Sequence, residues 1–304
     1  MSLLTIGTMA FDDIQTPFGH AEKVIGGACT YITWSASYFT NSINVSSIVG
    51  HDFPQEEITA LEERGADLSG VEVKMDGKTF FWAGKYHDNM NQRDTLATDL
   101  NVLDDFNPVL PDSYKQSKYV MLGNLTPAIQ SQVMDQLDGS QKLVAMDTMN
   151  FWMDIAMDEL KKVIGRVDLL TINDEEARQL SGEYSLLSAA EKIHAMGPKY
   201  LIIKKGEHGA MLFHEGKIFY APALPLHLVK DPTGAGDTFA GGLMGYLAKT
   251  DDVSFENMKT AIIYGSTMAS FCVEEFSIDN LKNLNTDAIN KRAERFKEMV
   301  SFTL

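Results

Sequence analysis

One run of residues in this 304-residue chain has the makings of a reactive centre: Asp231-Pro232-Thr233-Gly234-Ala235-Gly236-Asp237. Three small residues lead straight into an acid. A helical pattern starts at once, with Phe239, Leu243, Met244 and Leu247 on one face. Gly234, Ala235 and Gly236 leave backbone N–H groups uncovered at the positive end of that helix, where the first N–H groups lack intrahelical partners. Such a terminus attracts an anion. An acid beside it is electrostatically unfavourable unless it has a task. The task that fits is to take a proton from a nucleophile while the N–H groups stabilise phosphoryl charge. The chemistry implied is phosphoryl transfer with Asp237 as base. A glycine-rich turn with an acid near a helix start also reads as a simple cap, and the short motif alone leaves both readings standing. Gly241, Gly242 and Gly245 follow in the same helix. Glycine weakens a helix, so three of them mark a place where something packs very close.

Elements that could carry this centre are spread along the chain. Leu3 to Gly7 reads as a buried strand followed by Asp12 and Asp13 in a loop, and Gly26-Gly27 opens a helical stretch through Tyr31, Trp34 and Tyr38. Ser46 to Val49 is a short strand, and Pro54 to Arg64 is a surface helix with acids in its first turn. Val71 to Met75 alternates with period two, Asp76-Gly77 is a hairpin signal, and Lys78 to Tyr86 runs back. A hairpin between βα units suits a lid, with the polar stretch Asn89 to Thr95 near whatever the lid covers. From Lys118 onward strands at Tyr119–Leu122, Lys142–Met146, Asp168–Ile172 and Tyr200–Lys204 alternate with helices at Thr126–Leu137, Asp154–Val163 and Glu175–Leu180. A hairpin of Ala210–Phe213 and Ile218–Ala221 follows. This alternation predicts a mostly parallel sheet with ligands at the carboxyl ends of its strands. Asp12, Asn124, Asp147, Asn173 and Lys204 stand at such ends.

Bulk properties narrow the partners. A composition of 44% hydrophobic and 22% charged residues is that of a globular protein, and a net charge of −16 argues against nucleic acid or an anionic membrane. No segment has the apolar length to span a bilayer, and the first apolar run, Leu3 to Phe11, lacks a basic start. Cys29 and Cys272 lie far apart in apolar stretches, so reduced buried thiols and a cytoplasmic location are expected. Thr8-Met9-Ala10-Phe11 follows the first strand, with no G-x-G-x-x-G, which argues against a dinucleotide-binding oxidoreductase.

The pattern as a whole resembles the ribokinase-like (PfkB) carbohydrate kinase family. The resemblance rests on the run from Asp231 to Met244, on Asp12 five residues after Gly7, on Gly26-Gly27, and on Val49-Gly50-His51-Asp52-Phe53. Asn173-Asp174-Glu175-Glu176, Lys205-Gly206-Glu207-His208-Gly209 and the hairpin after Val71 extend it over nearly the whole chain. It implies an α/β fold: one domain over residues 1–304, a three-layer αβα sandwich around a mostly parallel sheet, with a β-lid from about residues 12–25 and 71–100. It further implies ATP and Mg²⁺, a small sugar with a hydroxymethyl group as acceptor, a nucleoside as the alternative acceptor, and a homodimer through the lid.

Site residues follow from the resemblance position by position. Asp237 resembles the base, and Gly234, Ala235 and Gly236 the anion hole. Asn173 and Glu176 resemble the pair that orders hydrated Mg²⁺, with Glu176 acting through water, although the same four residues also read as a helix start. Lys204, Gly206, Gly209 and Ser266 fall at the nucleotide, and Asp12, Gly26, Gly27, Tyr31 and Asn124 at the acceptor. Asp231 and the Thr233 carbonyl resemble a monovalent-cation loop, for K⁺. The chain departs from the pattern at four places. Tyr31 replaces the Asn of G-G-x-x-x-N, Lys204 stands where many relatives have Thr, and Ser277 where cation-dependent relatives have Gly. Asp147-Thr148-Met149-Asn150 is similar to the D-x-N of fructokinase and ketodeoxygluconate kinase relatives, but Trp152 occupies the place of their Arg. A regulatory protein built on a degenerate kinase fold is the rival from another class, and retention of Asp237, Asn173 and Glu176 argues against it.

Overall fold

Side chains on successive strand residues point to opposite faces, and in this chain both faces are apolar. Leu3 buries on one side of the first strand, Leu4 and Ile6 on the other; Ile202 and Ile203 divide in the same way four strands along. A strand apolar on both faces belongs inside a sheet covered by helices on each side. The computed structural model, which describes residues 1–301 and 303, has that architecture. Numbered in chain order, the large sheet contains β1 (Leu3–Ile6), β4 (Ile43–Gly50), β5 (Ala66–Lys74), β8 (Tyr119–Leu122) and β9 (Leu143–Asp147). It continues through β10 (Leu169–Asn173), β11 (Tyr200–Lys204), β12 (Ala210–His214) and β13 (Lys217–Ala221). Their order is β13-β12-β11-β10-β9-β8-β1-β4-β5, parallel throughout except for the antiparallel pairings of β12 and β13 at one edge. The carboxyl ends of β8, β9, β10 and β11 therefore deliver Asn124, Asp147, Asn173 and Lys204 to one rim, as the alternation predicts.

Two helical layers cover the sheet. One contains α1 (Ala28–Ala36), α2 (Gln55–Glu63), α8 (Ala235–Thr250), α9 (Phe255–Cys272), α10 (Asp279–Lys282) and α11 (Thr286–Val300). The other contains α3 (Pro127–Asp135), α4 (Asn150–Ile155), α5 (Met157–Ile164), α6 (Asp174–Ser181) and α7 (Leu186–His194). A second, four-stranded sheet stands apart from the first: β3 (Gly19–Gly26), β2 (Ala10–Thr16), β6 (Phe81–Tyr86) and β7 (Arg93–Asp99), in that order. This is the lid. Both cysteines are buried and free, and among the described residues no helix is long and apolar enough to cross a membrane.

Three sequence expectations are corrected. Val71 to Lys74 is not half of the lid hairpin but the end of β5, paired parallel to β4 with Val49 opposite Val73. The lid hairpin is β6 with β7, and Asp76-Gly77 only turns the chain from one sheet towards the other. Alternation reports that one face of a strand is covered; it carries no information on which sheet the strand joins. Asp12 lies within β2, opposite Val24 and Trp82, rather than in a loop. The helix expected over Asp154–Val163 is two helices broken at Ala156, whose φ of −144° leaves the helical region. Met153 and Leu160 bury in the same layer, so the apolar periodicity runs unbroken across the interruption.

Helix α8 is the best-fixed element. A methyl group at Gly241 would lie 2.3 Å from the Ile32 carbonyl oxygen, and one at Gly245 would lie 2.8 Å from Ala36 Cα, both on α1. On the other side a methyl group at Gly242 would lie 3.1 Å from Gly265 Cα on α9. The glycines that weaken the helix locally allow it to touch two neighbours backbone to backbone. Ser35 closes the α1 contact by donating to the Thr238 carbonyl at 2.7 Å. Alanine at an exposed helix site would stabilise by up to ~1 kcal/mol relative to glycine. Gly241→Ala is expected instead to destabilise by ~1–3 kcal/mol through overpacking. Urea denaturation checks this, and an unchanged midpoint would show that α1 and α8 are not in rigid contact.

Candidate active site

The first turn of α8 is built around what glycine lacks. Gly234, its N-cap, has φ +72°, and a Cβ there would fall 2.5 Å from the Tyr31 ring. Left-handed backbone and close approach both require glycine at this position. Tyr31 is 1% exposed and lies under the turn, and its hydroxyl has no hydrogen-bond partner among the described residues. Burial pushes that phenol well above its ordinary value, with Cys272 and Asp12 adding to the effect. Asp237 sits in the same turn. Burial and then the Asp147 charge push its carboxyl up to about 7, against the opposing pull of Lys204 and Arg93. A carboxyl near neutrality is basic enough to take a proton and is still about half ionised near pH 7.

The loop before the turn is closed by its own backbone. Asp231 is buried, and its two carboxylate oxygens accept from Thr233 N–H at 2.8 Å and Ser277 N–H at 3.3 Å. The Thr233 carbonyl accepts from the Cys272 thiol at 3.6 Å. Each atom expected to hold a monovalent cation already takes a hydrogen bond from the chain. Burial also raises the Asp231 carboxyl, which weakens it as a cation ligand. Each of these oxygens keeps a second lone pair that a monovalent cation could share.

Asn173 caps α6 as the expected motif allows, in a complete capping box. Its side chain accepts from Glu176 N–H at 2.8 Å, while Glu176 Oε2 accepts from Asn173 N–H at 2.7 Å. Glu176 Oε1 lies outside that exchange. Burial, then Asp147, push the Glu176 carboxyl up to about 7, with Lys204 acting the other way. Among the described residues no group of three or more His, Cys, Asp or Glu side chains is arranged to hold a metal unaided. A crowded carboxylate with one oxygen to spare suits a hydrated divalent ion that arrives with phosphate rather than a protein cage. The residues present fit Mg²⁺ in that role. Asp147, from the end of β9, accepts from Thr148 N–H at 2.8 Å and from Lys204 Nζ at 2.6 Å.

Asp12, expected at the acceptor, is buried, and its carboxyl group lies so close to Gly26 that a Cβ there would meet Oδ2 at 1.9 Å. Burial, Asp231 and Asp237 push Asp12 up to about 8, against a hydrogen bond from Gly27 N–H. Gly27, with φ +92°, caps α1. Asn124 has both ends of its amide engaged: Trp152 Nε1–H donates to Oδ1 at 2.8 Å, and Nδ2 donates to Met149 Sδ at 3.0 Å. It ties α4 to the end of β8. In the turn after β11, Gly206 and Gly209 have φ +52° and +94°, and a Cβ on Gly209 would fall 2.0 Å from the Ala221 carbonyl. Ser266 is part-exposed on α9.

Lid residues complete the site. Thr233 Oγ1 donates to the Tyr86 hydroxyl at 3.2 Å, tying β6 to the loop before α8. A Cβ on Gly206 would lie 3.0 Å from Asn91 Oδ1, so the tip of the β6–β7 hairpin reaches the turn after β11. The Arg93 charge is felt at Asp237 and Glu176. Polarity placed residues 89–95 near what the lid covers, but nothing in the sequence distinguished Asn91 and Arg93 from their neighbours.

Comparison with known proteins bears on the family and the fold. The profile of the pfkB family of carbohydrate kinases matches residues 7–283. The chain is 29% identical over 253 residues to the cytidine kinase of Thermococcus kodakarensis, covering 81% of this chain and 88% of that one. It is 25% identical over 303 residues to the nucleoside kinase of Methanothermobacter thermautotrophicus, covering 90% and 89%. In fold it is similar to the ribokinase of Arabidopsis thaliana solved with ribose and ATP, with a TM-score of 0.78, 18% identity, and 96% and 98% of the two chains covered.

The acids also set the stability of the free protein. Asp12, Asp237 and Glu176 titrate at about 8, 7 and 7, above their ordinary values, so the native chain binds these protons more tightly than the unfolded one. Their contribution is complete below about pH 4 and is lost as pH rises through the folded values. Asp12→Asn is therefore expected to melt higher than the wild type near pH 8.5, by on the order of 5 °C, with the difference shrinking near pH 5. Scanning calorimetry at the two pH values checks this; a difference independent of pH would contradict it.

Proposed function

The chain belongs to the pfkB family of carbohydrate kinases, and on that premise we propose that it is an ATP-dependent nucleoside kinase phosphorylating a 5′-hydroxymethyl group. The observation that carries the choice of acceptor is the similarity, over most of both chains, to a cytidine kinase and a nucleoside kinase. A free sugar is the second reading. It is favoured by the family as a whole. Asp12, whose buried side chain lies beside Gly26 and Gly27, suits a pair of adjacent hydroxyls. A ribose carries such a pair whether or not a base is attached, so Asp12 serves both readings equally.

In the proposed reaction Asp237 takes the proton of the acceptor hydroxyl as the acceptor oxygen bonds to the γ-phosphorus. The bond from that phosphorus to the β,γ-bridging oxygen breaks, and its electron pair leaves with ADP. The N–H groups of Gly234, Ala235 and Gly236 stabilise charge on the phosphoryl oxygens during transfer. Glu176, oriented by Asn173, would hold the water shell of Mg²⁺, and the ion supplies charge neutralisation on the phosphates when bound. Tyr86 and the hairpin tip at Asn91 keep the lid against both ends of the site, which excludes water from the transfer.

Initial rates against a panel of nucleosides and free sugars test the proposal. At least ~100-fold higher kcat/KM for one nucleoside class than for ribose or fructose is expected, because a site that pairs with a base discriminates against acceptors lacking it. The reverse order would replace the nucleoside with a sugar, and no turnover with any acceptor would leave a binding protein. Asp237→Asn is expected to lower kcat by ~10²–10⁴, the usual worth of a general base, with ATP affinity changed little. In the wild type kcat/KM should begin to fall below about 8 as Asp12 becomes protonated, and more steeply below about 7, where Asp237 does. A profile flat from pH 5 to 8 would remove Asp237 from that role.

A further inference from the structure

We propose that Lys204 is a catalytic residue of this kinase: its ammonium binds the phosphoryl group during transfer and is held ready for it by Asp147. Three observations place it there. Lys204 ends β11 in register with Asn173, so it emerges beside the capping box at the same rim of the sheet. Its Nζ lies 2.6 Å from Asp147 Oδ2, with only 18% of the side chain exposed, so the position of the head is dictated. The nearest atom to a Cβ built on Gly236 is that same Nζ, at 3.1 Å. The ammonium therefore sits directly over the last small residue of the anion hole.

Electrostatics make this an unusual place for a resting lysine. The N-terminus of α8 is the positive end of a helix, where a cation is disfavoured and an anion is favoured. What keeps Lys204 there is acid: burial pulls its ammonium down, and Asp147, Glu176 and Asp237 more than offset that. An ammonium has three N–H donors, and Asp147 occupies one. A phosphoryl group seated on the N–H groups of Gly234 to Gly236 would come within reach of the others. It would turn an unfavourable meeting of two positive groups into a shared clamp on one anion.

This inference rests on the phosphoryl-transfer reading above. As the bond from the γ-phosphorus to the bridging oxygen lengthens and the bond to the acceptor oxygen forms, Lys204 donates to the oxygens of the phosphoryl group. The acceptor proton goes to Asp237, and Lys204 keeps all of its own. Asp147 is a positioning residue: it sets where the ammonium waits. A purely structural lysine, present only to neutralise the three acids, would have no preference for the group in transit.

The test compares ground state and transition state. Affinity is measured for ADP alone and for ADP with aluminium fluoride and the best acceptor of the panel, in wild type and Lys204→Met. The variant is expected to bind ADP within about threefold of wild type. It should lose at least ~100-fold in affinity for the fluoride complex and a similar factor in kcat, as expected for removal of one charge-stabilising donor. Lys204→Cys alkylated with 2-bromoethylamine restores an ammonium on a stem of nearly the same length, and is expected to recover at least about a tenth of wild-type kcat. Wild type treated in the same way controls for the two native cysteines. Equal losses for ADP and the fluoride complex, or a kcat within about threefold of wild type, would overturn the proposal. If Lys204→Met does not fold, Lys204→Arg keeps the acids neutralised while displacing the contact. A loss of at least ~10-fold in its kcat is then expected, and wild-type kcat would overturn the proposal. Failure of the kinase reading itself would look different, because the wild type would transfer no phosphate at all.

Discussion

Helix α8 can end where it does only because its backbone touches the backbones of α1 and α9. Gly241 and Gly245 admit α1, Gly242 admits Gly265 of α9, and Ser35 ties α1 to the Thr238 carbonyl. Protein interiors deform little, so contacts without intervening side chains fix relative position more tightly than interdigitated chains do. Both ends of the proposed reaction depend on it. Helix α1 begins at Gly27, against Asp12, and carries Tyr31 beneath Gly234; α8 begins at Gly234 and carries Asp237. The distance between the acceptor carboxylate and the base is thus set by two helices in direct contact.

Around that fixed point the chain concentrates acid. Asp12, Asp147, Glu176, Asp231 and Asp237 approach one helix N-terminus, and most of them are buried. Burial, and then the neighbouring Asp147 charge, raise Asp237 into the range where a carboxylate is a useful base at neutral pH, and the raised acids destabilise the free protein as they ionise. A protein of net charge −16 has no general basic surface with which to attract a triphosphate. Local positive potential near Asp237 comes instead from the α8 N–H groups, Lys204 at the sheet rim, and Arg93 on the small sheet. Each comes from a different layer, so the nucleotide would meet a complete set only when the lid lies over the sheet.

Features carried by contiguous residues were legible from the sequence. The run from Asp231 to Asp237 encodes its own turn, since φ +72° at Gly234 needs glycine, and Asn173 to Glu176 encodes its own capping box. The parallel sheet was legible because doubly buried strands read as apolar runs between helices. Partners far apart in sequence were not. The alternation of Val71 to Lys74 matched a lid strand and an edge strand equally well, and only pairing with β4 chose between them. Asp147 and Lys204 each read as polar residues at strand ends, and nothing in their spacing announced a 2.6 Å ion pair across 57 residues.

The same division holds at the reactive centre. By itself the sequence determined that an acid follows a helix N-terminus built of small residues, because backbone N–H groups and a first-turn carboxylate are local properties of the chain. Tertiary structure decided what surrounds them. It put Tyr31 under Gly234 with its hydroxyl unpartnered among the described residues, engaged the Asn124 amide with Trp152, and closed Asp231 on the N–H groups of Thr233 and Ser277. It also brought Lys204 over Gly236. Charge and burial act through space and fall off with distance, so the state of Asp237 depends on groups that only the packed sheet, helices and lid bring near it.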